Sequence, residues 1–174
     1  MPKIKEAVRN LLGFSCINVQ TKLTAQKKVF NPKTQKYEYT KDKRVVKNRC
    51  VTDAFVAHIV DALKAEASPL ALLDDYKYHD VGTGTNSEVA ADTGLQTPFG
   101  GARVTGTQLE GATANIYKSV ATFTFSNTFS ITEHGLFNAS TSGTLMDRSK
   151  FAAIPVESSN QIEFTFEITF TSGG

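Results

Sequence analysis

Two pairs of neighbouring histidine and carboxylate residues are the part of this sequence with the clearest potential for chemistry. Asp80 follows His79, and Glu133 precedes His134. Imidazole nitrogen and carboxylate oxygen atoms are common zinc ligands, so a fold that joined the pairs would create a metal site. Neither pair has the spacing that places two ligands on one face of a helix. We therefore expect no bound metal, although the pattern leaves a site at His79 or His134 open.

A glycine-rich stretch, Gly82-Thr83-Gly84-Thr85, could let backbone N–H groups approach a phosphate. A P-loop requires a closing Gly-Lys-Ser or Gly-Lys-Thr, and a dinucleotide-binding turn requires a further glycine at the start of a helix. The sequence has neither, and its composition here is typical of a surface loop. The chain also lacks a nucleophile elbow and a distinctive pairing of cysteine with histidine. We expect no catalytic residue, no cofactor and no enzymatic activity.

Charge is divided unevenly along the 174 residues, although the formal net charge is only +2. Residues 1–50 contain 13 Lys and Arg against 3 Asp and Glu, whereas residues 51–174 contain 6 against 14. This separation predicts a basic N-terminal segment and an acidic or neutral body. Cys16 and Cys50 both lie in the basic segment without a Cys-x-x-Cys spacing, so reduced thiols are expected.

The basic segment is the predicted partner-binding region. Phe30, Tyr37 and Tyr39 are interleaved with its cationic side chains. Such a segment suits an acidic protein surface, which we favour, and also single-stranded nucleic acid. Glu163 and Glu167 of another copy could provide an acidic surface of this kind. The predicted partner-binding residues are Lys22, Lys27, Lys28, Lys33, Lys36, Lys41, Lys43, Arg44, Lys47 and Arg49.

Two short helices are predicted from apolar residues at spacings of three and four. The first has Ile4, Val8, Leu11 and Leu12 on one face and ends at Gly13. The second, residues 52–67, begins at the N-cap residue Thr52 and ends before Ser68-Pro69. Its apolar stripe comprises Phe55, Val56, Ile59, Val60 and Leu63. His58 lies beside this stripe, so we expect it to form a hydrogen bond with a neighbour.

Strands dominate the remainder of the chain. Residues 120–125, 128–132 and 161–171 are predicted strands, and the last alternates strictly between apolar and polar residues, which is typical of an antiparallel sheet with one buried face. Residues 21–30 and 36–46 flank a turn at Asn31-Pro32-Lys33 and form either a hairpin or an extended arm that orders on a partner.

These elements predict a mainly β fold with two short helices, in the α+β class. We expect an antiparallel β-sandwich or jelly-roll-like body, residues 51–174, preceded by a basic helix and arm, residues 1–50. No apolar stretch approaches the roughly 20 residues needed to span a bilayer, and no secretory signal is recognisable. We therefore expect synthesis in the host cytoplasm.

Two stretches resemble structural proteins of tailed-bacteriophage virions, of the decoration (cement) or tail-component type. The first runs from Tyr76 to Thr85 and continues through residues 92–97 and 103–106. The second, which is more distinctive, runs from Ile131 to Phe137 and continues through residues 143–151 to the terminal strand. The resemblance covers roughly residues 52–174, and the basic segment has no counterpart in it.

The resemblance implies a location in the virion and partners among the major capsid or tail proteins, but it supplies no catalytic residue. It also implies a homo-oligomer, with a trimer as the natural form for a protein at local threefold positions. In this context Glu133, His134 and Gly135 are expected to form a tight polar corner. Asp147 and Arg148 are expected to form an ion pair that holds the loop before Phe151.

The expected function is therefore that of a non-enzymatic capsid decoration protein. The first alternative is a tail, baseplate or fibre-attachment adaptor, which would use the same body. The second is an accessory protein that binds single-stranded nucleic acid through the basic segment.

Overall fold

The described residues form two five-stranded antiparallel sheets, one short helix and long connecting loops. The computed structural model describes residues 17–64 and 75–172, so the predicted first helix and Cys16 lie outside the described residues. The elements are β1 (Ile17–Asn31), β2 (Lys36–Lys47), β3 (Cys50–Val51), α1 (Asp53–Lys64), β4 (Tyr78–Gly82), β5 (Val104–Thr105), β6 (Thr107–Glu110), β7 (Ile116–Thr124), β8 (Phe129–Phe137), β9 (Leu145–Val156) and β10 (Gln161–Ser172).

The first sheet has the strand order β2-β1-β10-β7-β6, and the second has the order β3-β9-β8-β4-β5. Their inner faces supply one shared hydrophobic core, which contains Phe164 and Phe166 from the first sheet and Ile131 and Ile154 from the second. This arrangement confirms the expected mainly β, sandwich-like fold. Within the described ranges, no helix has both the length and the apolar character required to cross a membrane.

Strand β10 lies at the centre of the first sheet and has one buried face, as its alternating sequence predicts for that face. Ile162, Phe164 and Phe166 are fully buried at 0% exposure, whereas the intervening Glu163 lies on the outer face. β10 pairs with β1 along residues 17–28 and with β7 on its other side. The outward carboxylates of β10 therefore lie beside the basic side chains of β1.

Strands β1 and β2 form a hairpin, which decides between the two alternatives for this segment. β1 pairs with β2 from Lys22 to Asn31, and a turn at residues 32–35 joins the strands. Gln35 in this turn has a φ of 54°, in the left-handed region. Because β1 also pairs with β10, residues 17–47 belong to the same sheet as the terminal strand.

Helix α1 is capped as predicted but only partly covered. Thr52 Oγ1 accepts a hydrogen bond from Phe55 N at 3.2 Å and donates one to Leu145 O. Phe55 is buried at 3% exposure, whereas Val56 and Val60 of the predicted apolar stripe are 52% and 48% exposed. The described part of the protein therefore buries only one edge of the stripe. The predicted end of this helix, residues 65–67, lies outside the described residues.

Glu133, His134 and Gly135 do not form a corner, so that expectation is wrong. They lie inside β8, paired with Lys150, Ser149 and Arg148 of β9. The predicted strand 128–132 is the first half of this longer strand, which includes a register shift between Ile131 and Glu133. The second half of β8 contains these polar residues. Both faces of the strand are covered there: the inner face by the first sheet, and the outer face by the loop between β4 and β5.

Candidate functional site

The cationic residues predicted to bind a partner differ in their contacts and exposure, and Arg49 is both paired and exposed. Some contact the protein itself: Lys22 Nζ lies 2.5 Å from Glu167 Oε2, and Arg49 Nε lies 3.4 Å from Glu88 Oε1. Arg44 donates hydrogen bonds from Nε and Nη2 to the carbonyl oxygens of Ala152 and Ala153 in β9, both at 3.0 Å. The exposed members of the set are Lys33, Lys36, Lys41, Lys43, Lys47 and Arg49, while Lys27 is partly buried.

Lys28 forms an internal ion pair with Glu163, in which Tyr39 also takes part. Its Nζ lies 2.5 Å from Glu163 Oε2 and 4.7 Å from the centre of the Tyr39 ring. Tyr39 donates a hydrogen bond from its hydroxyl to Glu163 Oε1 at 2.7 Å. Although burial opposes ionisation, the hydrogen bonds from Lys28 and Tyr39 hold the pKa of Glu163 below its usual range. Glu163 and Glu167 are therefore paired within their own chain, and the expected contact with another copy's basic segment is not required to satisfy them.

The end of the β1–β2 hairpin, residues 29–39, extends beyond the rest of the sheet. We call this segment the hairpin tip. The pairing of β1 with β10 ends at Lys28, so beyond this residue the two strands of the hairpin pair only with each other. The tip exposes four large apolar or aromatic side chains: Val29, Phe30, Tyr37 and Tyr39, at 37%, 40%, 38% and 55%.

Local hydrogen bonds hold the hairpin tip in shape. Asn31 Oδ1 accepts a hydrogen bond from Lys33 N at 2.9 Å, and Glu38 Oε1 accepts from Asn31 Nδ2 at 3.0 Å and Thr34 Oγ1 at 2.7 Å. The rings of Phe30 and Tyr37 meet edge to face with centres 5.5 Å apart. The tip is thus a preformed surface with aromatic and cationic side chains.

The two histidines of the histidine and carboxylate pairs meet in the core. His79 Nδ1 lies 2.9 Å from His134 Nε2, and His79 Nε2 lies 2.8 Å from Ser119 Oγ. A serine bound to a histidine is an arrangement that can activate a nucleophile. Here all three residues are 0% exposed, so no substrate reaches the serine oxygen. Burial lowers the pKa of His79 to about 3 and that of His134 well below its usual value, which keeps both rings neutral.

The carboxylates of those pairs point away from the histidines, because successive side chains of a strand face opposite sides of a sheet. Asp80 Oδ2 lies 3.4 Å from Arg103 Nε, and Glu133 lies under a loop on the outer face of the second sheet. Within residues 17–64 and 75–172, no three His, Cys, Asp or Glu side chains come together as a metal-binding group.

Glu133 and Arg148 together hold the loop between β4 and β5, and we call this pair the loop clamp. Glu133 Oε1 accepts hydrogen bonds from the backbone N–H groups of Gly84 at 3.0 Å and Thr97 at 2.8 Å. Glu133 Oε2 accepts from Gln96 N at 3.1 Å and from Arg148 Nε at 2.8 Å. Glu133 is 0% exposed and Arg148 is 1% exposed. The clamp therefore satisfies a buried charge with four hydrogen bonds.

Arg148 also reaches the far side of the same loop. Its Nη1 donates a hydrogen bond to Asp92 Oδ2 at 3.0 Å, and its Nη2 donates to Asn86 Oδ1. The expected ion pair with Asp147 is wrong, because these neighbouring residues of β9 face opposite sides of the sheet. Arg148 does hold a loop, but the loop is residues 83–103 and its ionic partners are Glu133 and Asp92.

The glycines of the Gly82-Thr83-Gly84-Thr85 stretch allow this loop to lie close to β8. A Cβ atom at Gly82 would lie 2.4 Å from Thr97 O, and one at Gly84 would lie 2.5 Å from Glu133 Oε1. Both distances are too short for any side chain. The stretch begins as the end of β4 and continues into a loop in which Thr83 N donates a hydrogen bond to Thr97 O and Gly84 N donates one to the Glu133 carboxylate.

Asp147 occupies the inner face of β9 and is 0% exposed. Ser149 Oγ donates a hydrogen bond to Asp147 Oδ1 at 2.7 Å, while Oδ2 has no hydrogen-bond partner. Burial raises the pKa of Asp147 to about 7, although the hydrogen bond from Ser149 opposes the shift. No pattern in the sequence indicated this buried, titratable carboxyl group.

His58 behaves as predicted for a residue at the edge of a helix stripe. The hydroxyl of Tyr76 lies 2.8 Å from His58 Nδ1, and Thr144 Oγ1 lies 3.2 Å from His58 Nε2. The hydrogen bonds connect α1 to the segments before β4 and before β9.

Comparison with known proteins adds no relative. The chain matches no protein-family model, no curated protein and no solved structure.

Proposed function

We propose that this chain is a non-enzymatic structural protein of a tailed-phage virion, specifically a capsid decoration protein. The observation that carries the proposal is the projecting hairpin tip, whose exposed aromatic and lysine side chains form a surface for another macromolecule. The sequence resemblance of residues 52–174 supplies the virion context.

The chemistry of the hairpin tip favours an acidic protein surface as its partner. Phe30 and Tyr37 present apolar area at low conformational cost, because their rings already contact each other. Lys33 and Lys36 are exposed beside them and carry positive charge. Positive charge at the rim of an aromatic patch speeds association with an acidic surface and selects against basic ones.

On the basis of the resemblance, we also propose that the chain forms a homo-oligomer, specifically a trimer. It does not use Glu163 and Glu167 as the contact between copies, because each is paired with a lysine of its own chain. The hairpin tip remains available to a neighbouring virion subunit.

The first test is the location and abundance of the chain in purified particles. A decoration protein should be present on the capsid in numbers comparable with the capsid subunits, as measured by quantitative mass spectrometry and antibody labelling. A few copies at the tail would favour the tail, baseplate or fibre-attachment alternative. Absence from purified particles would overturn the virion assignment.

The second test addresses the hairpin tip directly. The double variant Lys33→Glu, Lys36→Glu should lose incorporation into particles while retaining the circular dichroism spectrum of the unaltered protein. The matched control, Lys43→Glu with Lys47→Glu, makes the same charge change on exposed residues of β2 outside the tip. Equal loss in both variants would contradict recognition by the tip. Tight, strongly salt-dependent binding of the unaltered protein to single-stranded DNA would instead support the nucleic-acid alternative.

A further inference from the structure

The outer edge of β9 is only partly paired. β3 pairs with it at Asp147 and Arg148. From residue 149 to residue 156, no strand among the described residues pairs with β9 on this side, and we call this part of the strand the β9 edge. An unpaired strand edge presents free N–H and C=O groups, which can pair with a strand of another chain. The β9 edge is therefore a potential site of strand addition.

Arg44 of β2, in the first sheet, covers the middle of the β9 edge. A register shift against β8 places residues 151–153 of β9 opposite Thr132 alone, which interrupts the regular alternation of carbonyl directions. Arg44 Nε donates a hydrogen bond to Ala152 O, and Nη2 donates one to Ala153 O, both at 3.0 Å. The planar fork of the guanidinium thus occupies two successive carbonyl acceptors, a match that a lysine ammonium does not provide.

Other residues protect the β9 edge on either side of Arg44. Glu88 Oε1 accepts a hydrogen bond from Lys150 N at 3.1 Å, and Arg49 Nε lies 3.4 Å from the same oxygen atom. Pro155 has no N–H group and offers no donor to an added strand. Charged side chains and prolines on an edge strand are features with which proteins prevent edge-to-edge association. A carboxylate, a guanidinium and a proline therefore act along one edge.

We propose that Arg44, together with Glu88 and Pro155, blocks the β9 edge against pairing with the same edge of a second copy. This inference goes beyond the proposed function and does not depend on it. A second copy is the partner that is blocked because the β9 edge is self-complementary: two such edges pair antiparallel about a twofold axis. The alternative is that Arg44 only joins the two sheets, and the experiments below separate the two roles.

The first experiment removes the guanidinium and measures the mass of the species in solution. Arg44→Ala frees the carbonyl groups of Ala152 and Ala153, so the folded variant should form a species of at least about twice the mass of the unaltered protein, increasingly with concentration, in light scattering. The matched control is Lys43→Ala, which removes the neighbouring exposed cation, leaves the contacts of Arg44 in place and should keep the original mass. A loss of thermal stability in Arg44→Ala without any change of mass would show that Arg44 only joins the sheets, contrary to the proposal.

The location of the new contact is tested by hydrogen exchange and by a reversing substitution. In the larger species, peptides from residues 149–156 should exchange more slowly than in the unaltered protein, whereas β6, an edge strand of the first sheet, should not change. Adding Ala152→Lys to Arg44→Ala places a lysine of each copy at the shared edge, and the repulsion should restore the original mass. A larger species without protection of the β9 edge, or one that survives Ala152→Lys, would refute the proposal.

A conservative variant keeps the test decisive if Arg44→Ala alters the circular dichroism spectrum. Arg44→Lys retains the positive charge and most of the side chain but cannot bond both carbonyl groups as a fork. It should therefore associate more than the unaltered protein, with the same protection of the β9 edge. If Arg44→Lys is folded and keeps the mass of the unaltered protein at every concentration, the inference is wrong.

Discussion

Replacing Asp147 with asparagine tests how strongly a buried carboxyl group affects the stability of this protein. The carboxyl group is fully buried, accepts one hydrogen bond from Ser149 and leaves Oδ2 without a partner. Burial raises its pKa to about 7, with opposing effects from Ser149, Thr21 and Arg49. Asp147→Asn keeps the shape of the side chain and removes its charge.

The magnitude follows from the shift in pKa. A rise from 3.8 to about 7 corresponds to ~4 kcal/mol, at about 1.4 kcal/mol for each unit. Because the folded-state pKa is above the unfolded value, the folded protein binds the proton more tightly. The free energy of unfolding therefore falls as the pH rises from about 4 to about 7 and is constant above this range with respect to Asp147. The asparagine variant does not titrate there, so its stability relative to the unaltered protein should increase by about 2–3 kcal/mol between about pH 5 and about pH 8.

The buried histidines affect the pH dependence of stability in the opposite direction to Asp147. Their folded-state pKa values are depressed from 6.5, to about 3 for His79, so the unfolded chain binds protons first as the pH falls. Stability is consequently lost as the pH falls below about 6.5. Both proteins contain these histidines, and their contribution cancels when the variant is compared with the unaltered protein at each pH.

The assay is urea unfolding of both proteins at about pH 5, 6, 7 and 8, followed by circular dichroism and tested for two-state behaviour. The control, Asp53→Asn, removes a carboxyl group from an exposed residue of α1. A difference between Asp147→Asn and the unaltered protein that stays constant from about pH 5 to about pH 8 would refute the reasoning.

Two further predictions concern the loop clamp. Arg148→Ala should lower the free energy of unfolding by about 3–5 kcal/mol, because it leaves the buried Glu133 carboxylate without its charged partner. Lys47→Ala, at an exposed lysine, should have little effect, and an unchanged melting temperature for Arg148→Ala would contradict the clamp. Gly84→Ala should cost about 1–3 kcal/mol, because its Cβ would lie 2.5 Å from Glu133 Oε1. Gly94→Ala in the same loop is the matched control, since no atom lies within 4 Å of its Cβ position, and equal urea midpoints for the two variants would exclude close packing as the role of Gly84.

The two stretches on which the proposed virion context rests come together in space. Gly84 and Gln96 of the first stretch bind Glu133 of the second, and His79 of the first contacts His134 of the second. These contacts give most of the distinctive residues a structural role in holding one loop and one part of the core. Our proposal therefore places recognition of a partner at the hairpin tip, which lies outside these two stretches.

The local pattern of the sequence was sufficient to predict several secondary-structure elements. Strict alternation predicted β10, because one buried face and one exposed face require a period of two. Thr52 predicted the start of α1, since a hydroxyl at this position can accept the first free N–H groups of a helix. The turn signal at Asn31-Pro32-Lys33 predicted either a hairpin or an arm, and the pairing of β1 with β10 decided in favour of the hairpin.

The partners of the buried polar residues could not be predicted in this way. Alternation along β9 indicates that Asp147 and Arg148 face opposite sides, but it does not indicate which face is covered by a loop. Arg148 binds Asp92, 56 residues away in the chain, and His79 contacts His134, 55 residues away. Such contacts depend on strand order, register and loop packing across the whole domain.

The sequence alone determined the mainly β class, the basic character of the N-terminal segment and the aromatic residues placed within it. Those properties depend on composition and on short-range periodicity, which are present in any conformation of the chain. Only the tertiary structure decided that Lys22 and Lys28 pair with the carboxylates of β10 and that Lys33, Lys36 and four exposed apolar or aromatic side chains lie together at the hairpin tip. The reason is physical: whether a charge is available to a partner depends on which other charges the fold brings within a few ångströms of it.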